Sequence, residues 1–139
     1  MILPELLSDL TIHFNALMRT IAAKNDLTTS QAFNLLAIPH SGISMSKLAL
    51  KLGLDTSTLT RNVQKLTALG LVIKTRDEYD KRIHILSLSK TGSDTLSNIE
   101  NSIDKINQSI FAKIDLDDQI HVVDVLESLV WSIECIREQ

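Results

Sequence analysis

Hydroxyls, an amide and two cations crowd into ten consecutive positions of the chain: Thr56, Ser57, Thr58, Thr60, Arg61, Gln64 and Lys65. Leu59, Val63 and Leu66 recur among them at helical spacing, which turns the polar side chains to the other faces of one helix. Donors of these types in one row suit the phosphates and base edges of a nucleic-acid duplex. A guanidinium forks onto guanine and a side-chain amide onto adenine, so Arg61 and Gln64 are the candidates for reading bases in a major groove. The Ser and Thr hydroxyls and Lys65 suit phosphates. Spacing alone does not say which of them reads a base. A second charged group follows in Arg76-Asp77-Glu78-Tyr79-Asp80-Lys81-Arg82. Arg82 is the candidate for a minor groove, where A·T-rich tracts concentrate negative potential, and Arg76 and Lys81 suit further phosphates. Asp80 opposes that role unless its carboxylate pairs with a nearby arginine and fixes the direction of the guanidinium. The bland alternative for both groups is a solvated surface whose hydroxyls only cap helices and whose charges are incidental.

Charge distribution favours the first reading. The 139-residue chain carries a net charge of −3, yet residues 47 to 90 hold nine Lys or Arg against four Asp or Glu, a local +5. The remainder holds five against thirteen, a local −8. Such asymmetry suits a protein that docks on phosphate with one part and turns its acidic remainder away. Catalysis has no comparable support: the four glycines are scattered, and neither a Gly-x-Ser-x-Gly nor a phosphate-loop pattern occurs. His13, His40, His84 and His121 are isolated in sequence, so no metal and no cofactor is expected. Cys135, the single cysteine, allows no internal disulfide; its apolar neighbours and lack of adjacent cations predict a buried, inert thiol. No apolar run approaches the roughly 18 residues that span a bilayer. The N-terminus lacks the basic start and apolar stretch of a signal peptide, so a cytoplasmic protein without a membrane partner is expected.

Apolar periodicity supplies the elements that must position these groups. Leu6, Leu7, Leu10, Phe14, Leu17, Met18 and Ile21 predict a helix over about residues 5 to 23. A second helix begins near Ser30 with Ala32, Phe33, Leu35 and Leu36 and ends before Pro39, where Pro39 to Gly42 reads as a turn. Ser44 caps a short helix carrying Leu48, Ala49 and Leu52, and Gly53 stops it. Asp55 or Thr56 caps the next, with Leu59, Val63, Leu66 and Leu69 packed before Gly70. Two short helices joined through glycine are a helix-turn-helix signature. Leu71 to Ile73 and Ile83 to Leu86 read as strands of a hairpin whose charged tip, residues 76 to 82, is a wing. Ser89 caps a long helix in which Leu96, Ile99, Ile103, Ile106 and Ile110 alternate at three and four. A last helix follows Asp115, Asp117 and Asp118 and carries Ile120, Val123, Leu126, Val130, Ile133 and Ile136. Val122, Val125, Leu129 and Trp131 widen its apolar face beyond what one neighbour covers, which predicts subunit association.

From Leu27 to Gly92 the sequence resembles the MarR family of winged-helix regulators. The resemblance rests on Leu27-Thr28 with Gln31 and Leu35-Leu36, on Ser44-Met45-Ser46-Lys47-Leu48-Ala49, and on Leu52-Gly53-Leu54-Asp55-Thr56-Ser57-Thr58-Leu59-Thr60-Arg61. Leu66, Gly70-Leu71-Val72, Asp80-Lys81-Arg82 at the wing and Leu88-Ser89-Lys90-Thr91-Gly92 complete it. It implies a mainly α fold with a small β-hairpin wing: a single domain over 1–139, with a DNA-binding lobe over 28–90 and helical dimerisation regions at 1–25 and 91–139. It further implies a homodimer bound to double-stranded DNA at a pseudo-palindromic operator, acting as a repressor relieved by a small amphipathic or phenolic effector. Two residues depart from the pattern. Ala32 stands where an aromatic ring is common, and Lys81 replaces an arginine, keeping the charge but losing the planar fork. The competing expectation is a winged-helix protein-interaction module that no longer binds DNA.

Overall fold

The computed structural model describes residues 2–139, as six helices and a three-stranded antiparallel sheet in the order α1 (Leu3–Lys24), α2 (Thr29–Ala37), β1 (Ile43–Ser44), α3 (Met45–Leu52), α4 (Thr56–Ala68), β2 (Val72–Arg76), β3 (His84–Leu88), α5 (Lys90–Phe111) and α6 (Leu116–Arg137). The chain forms two compact units, one reaching to Asn101 and the other running from Ser102 to Gln139.

Local chemistry explains where the helices of the first unit begin. Thr28 and Gln31 form a reciprocal capping box at α2: the Gln31 amide donates to Thr28 Oγ1 at 3.1 Å and the Thr28 amide to Gln31 Oε1 at 2.9 Å. The helix therefore starts at Thr29, one residue before the expected Ser30. Ser44 accepts from the Lys47 amide at 3.2 Å to start α3, and Gly53 closes that helix in the left-handed conformation at φ 68°. Asp55, rather than Thr56, caps α4, accepting from the Thr58 amide at 2.7 Å. Lys51 reaches from α3 to the Ala37 carbonyl at the end of α2, 2.9 Å away, so this cation serves a helix C-terminus.

These elements converge on one core. Met18, Leu35, Leu48, Leu59, Leu66, Leu86 and Ile99 are fully buried and come from α1, α2, α3, α4, β3 and α5. Phe14 and Phe33 extend the seam between α1 and α2, with ring centroids 6.4 Å apart at a 56° tilt. Leu69 is not part of this core: it is the C-cap residue of α4 and half exposed, because the helix stops one residue earlier than its apolar spacing suggests.

The sheet differs from a bare hairpin in two respects. Its order is β1-β3-β2, with Ile43 opposite Leu86 and Val72 opposite Leu88, so a two-residue strand preceding α3 joins the hairpin. The β2–β3 ladder also runs through Lys74, Thr75 and Arg76, which removes Arg76 from the tip and sets it opposite His84. Beyond buried Val72 the strand lies at the surface, and backbone pairing there tolerates polar side chains.

Four residues weld α4, the sheet and α5 together. The Ser89 hydroxyl donates to the Gly70 carbonyl at 2.5 Å and its amide donates to the Leu71 carbonyl at 3.0 Å. The same hydroxyl accepts from the Gly92 amide at 2.9 Å, opening α5. Gly92 itself lies on the Leu71 carbonyl, where any Cβ would collide with backbone. Gly70 has a positive φ of 74° but open space around it.

In the second unit, Gln119 donates its side-chain amide to the carbonyls of Phe111 and Ile114 at 3.0 and 2.9 Å, bracing the turn before α6. No residue of α6 is buried: Ile120, Val130, Ile133 and Ile136 are exposed, as is Trp131, 65% accessible. Cys135 is half-buried, not enclosed as expected, on a helix none of whose residues is buried.

The two glycines separate sterics from backbone preference. Gly92→Ala is expected to lower unfolding free energy by about 1 to 3 kcal/mol, as overpacking does, and Gly70→Ala by about 1 to 2 kcal/mol from its left-handed backbone alone. Urea unfolding of the two variants checks the order, and equal losses contradict the close approach at Leu71.

Candidate nucleic-acid interface

On α4 the buried residues are Leu59, Val63 and Leu66. Successive residues turn by about 100°, so Ser57, Arg61, Gln64 and Lys65 stand on the opposite side, and all four are exposed. No hydrogen bond within the chain is assigned to the side chains of Ser57, Gln64 or Lys65, which leaves these groups to solvent. Thr56 is exposed at the first helical position. Thr60 differs, since its hydroxyl donates to the Thr56 carbonyl at 2.7 Å and is only half exposed. Its oxygen retains acceptor capacity but its proton is committed.

Thr58 belongs to a small network at the start of the helix. Its hydroxyl donates to Asp55 Oδ2 at 3.0 Å and accepts from Arg61 Nη2 at 3.4 Å. The Thr58 backbone amide, then its hydroxyl and more weakly the Arg61 charge, hold the Asp55 carboxyl below its ordinary value. Asp55 thus caps the helix and, through Thr58, steadies the guanidinium one turn further on. Sequence patterning placed Asp55 as a possible cap but gave it no part in positioning Arg61.

The wing tip is held by two carboxylates. Asp77 Oδ2 accepts from the amides of Tyr79 and Asp80 at 3.1 and 3.0 Å, and the Asp77 amide donates to the Ile83 carbonyl at 2.9 Å. Asp80 takes Arg82 through both carboxylate oxygens, Nε to Oδ1 and Nη2 to Oδ2, each 3.1 Å. It also accepts from the Arg82 amide at 3.1 Å. The guanidinium, followed by that amide, depresses the Asp80 pKa, and the carboxylate raises that of Arg82. Both groups are close to solvent, so the pair matters as a geometric device, not as a source of stability. Lys81 is exposed beside it, while Arg76 is exposed on the strand.

Between the start of α3 and the base of the wing lies an open cleft of about 540 Å³, lined by Ser44, Ser46, Lys47, Asp77, Ile83 and Ile85 among others. Lys47 counted toward the basic segment without a position of its own; the short strand β1, which brings its helix against the wing, had no periodic signal. Among the described residues no cluster of three or more metal-ligating side chains occurs, and no helix is long and apolar enough to cross a membrane.

Comparison with known proteins agrees with this geometry. A model described as MarR family matches residues 17–83. The chain is 30% identical over 108 residues to the HTH-type transcriptional regulator SarZ of Staphylococcus saprophyticus, covering 76% of this chain and 71% of that protein. It is 32% identical over 90 residues to SarZ of Staphylococcus epidermidis, a match over 63% of this chain that spans only 58% of that relative's length. In fold it is similar to the Staphylococcus aureus MepR–DNA complex, with a TM-score of 0.77 over 95% of this chain and 98% of that one, at 16% identity.

The two carboxylates give a test by pH. Depressed folded-state values mean that their contribution is complete above the ordinary aspartate value of 3.8 and is withdrawn only as pH falls through the lower folded values. Carboxyl titration by NMR is expected to place both midpoints below 3.8. Arg82→Ala should return Asp80 toward its ordinary value and leave Asp55 in place; an unmoved Asp80 contradicts the fork.

Proposed function

The chain belongs to the MarR family, and from that premise we propose that it is a sequence-specific regulator of transcription that binds double-stranded DNA as a homodimer. The observation that carries this reading is the outward row Ser57, Arg61, Gln64 and Lys65 on α4, braced by Asp55 and Thr58, with a cross-tied cationic wing on the same core. In this reading α4 lies in a major groove, Arg61 and Gln64 face base edges, and Thr56, Ser57, Thr58, Thr60 and Lys65 hold phosphates. Lys81 and Arg76 add phosphate contacts, and Arg82, aimed by Asp80, lies along a minor groove. The MepR complex with DNA supports the mode by likeness of fold.

Dimerisation follows from apolar surface. Leu3, Leu6, Leu10, Phe14 and Leu17 on α1 are exposed, as are Leu116, Ile120, Val123, Val130 and Ile136 on α6. A folded monomer in water rarely leaves such stripes uncovered, and a second copy covers both. Accordingly the helical regions at 1–25 and 91–139 form the interface, and the lobe over 28–90 is presented twice to a pseudo-palindromic operator. Repression relieved by a small amphipathic or phenolic effector, in the cytoplasm, is the regulatory mode this reading carries.

Two measurements test it. Sedimentation at low micromolar concentration should give twice the 15.5 kDa chain mass, and a folded monomer contradicts the interface. On a duplex enriched from random sequence by the purified protein, Arg61→Ala should cost about 1 to 3 kcal/mol and flatten discrimination at one base pair per half-site. Lys65→Ala should instead weaken binding to all sequences alike and lower the salt slope. If neither substitution changes binding to selected or random duplexes, α4 is not the docking face and a protein-interaction role takes its place.

A further inference from the structure

Tyr79 is the single tyrosine of the chain and the most exposed of its described large apolar side chains, 96% accessible at the wing tip. An aromatic ring in that position gains nothing from the protein: burial of such a ring usually removes 150 to 250 Å² from water, and here almost none is removed. Nor is it carried on a loose loop. The Asp77 carboxylate accepts the Tyr79 amide itself, and the Asp77 amide and Ile83 amide close the turn across it by donating to the Ile83 and Asp80 carbonyls at 2.9 and 3.0 Å. Both nearby aspartates are thereby turned onto backbone amides or Arg82, which leaves exposed Lys81 two residues along the chain from the ring, with Glu78 the one carboxylate of the tip not so engaged. A braced turn presenting an aromatic group outward has met its ordering cost before binding.

The chemistry of the ring and its neighbours selects the partner. Lys81 and the unpaired edge of Arg82 suit phosphates, and the flat ring suits apolar walls on its two faces. The phenol supplies one donor at the far end. A minor groove offers all three: phosphates along its rims, deoxyribose walls, and the adenine N3 and thymine O2 acceptors on its floor. A G·C pair instead places the guanine N2 amino group on that floor, in the path of the ring. Arg82 is less suited to lead, since Asp80 holds the Nε–Nη2 edge of its guanidinium. We propose that Tyr79 is the wing's minor-groove probe, entering ahead of Arg82 and selecting A·T pairs in the operator flank. This rests on the DNA-binding reading above.

Substitution of the flank isolates the claim. The probe is a duplex of about 30 base pairs, long enough for two half-sites, enriched from random sequence by the full-length protein. Changing the flanking A·T pairs to G·C is expected to weaken wild-type binding roughly tenfold, and changing them to inosine·cytosine, which lacks the N2 amino group, to restore it. Tyr79→Ala should lose most of the difference between the three duplexes, leaving only what Arg82 contributes, and Tyr79→Phe should retain part of the discrimination through its ring. Because Tyr79 is the single tyrosine, nitration reports on it directly, and the duplex should protect it. If the duplex binds but Tyr79 stays open to nitration and Tyr79→Ala keeps the flank preference, the proposal is overturned while DNA binding stands. If no duplex is enriched, both fall; capture of a protein partner through Tyr79 in place of DNA overturns both as well.

Discussion

The arrangement of α4 relative to the wing depends on one junction. At Gly70 and Leu71 the chain leaves α4 and enters the sheet, and at Ser89 it leaves the sheet for α5. The Ser89 hydroxyl and amide donate to the two carbonyls of that first corner, and the absence of a side chain at Gly92 lets α5 lie against the Leu71 carbonyl. Backbone carbonyls at a helix end need donors, and here the donors come from the start of another helix. The consequence is geometric. A helix bearing hydroxyls and cations and a hairpin with a charged tip are fixed to one another through the Ser89 hydroxyl and backbone atoms, with Leu66, Leu86 and Ile99 fully buried in the core they share.

On that frame, three of the four acidic residues of the basic segment are engaged by local donors. Asp55 caps α4 and leans on Thr58, Asp77 accepts the turn amides, and Asp80 forks onto Arg82. Each neutralises local donors instead of projecting toward an incoming phosphate. A net charge of −3 is therefore compatible with polyanion binding, because the carboxylates within the +5 segment are largely spent on holding its cations and backbone in position. The same logic makes the wing a braced device in a surface position where loops are commonly mobile.

Much of this was legible in the residues. Caps at Ser44, Asp55 and Ser89 and the spacing of Leu59, Val63 and Leu66 locate the helices, because hydrogen-bonding side chains at helix ends and a 3.6-residue apolar period are local signals. What was missed has no local signal. Two residues cannot show alternation, so Ile43–Ser44 was invisible as a strand, and its pairing with β3 decides where Lys47 lies. Arg76 looked like tip because it is charged, whereas the ladder continues through it by backbone bonds that ignore side-chain polarity. Leu69 fits the apolar period but falls at the end of the helix, and Cys135 sits on a helix none of whose residues is buried. Tyr79 falls within the charged wing tip in the sequence, but its near-complete exposure and the brace that Asp77 gives its amide come only from the turn geometry.

On the proposed reading, one braced surface, α4 together with the wing, meets DNA. Amide hydrogen exchange of the full-length protein, with and without a duplex that it has enriched, reads this surface directly. New protection is expected only at the start of α4 and at residues 76–83, with exchange in α6 unchanged. Protection that falls instead on α6, with α4 and the wing exchanging as freely as in the unbound protein, would contradict it.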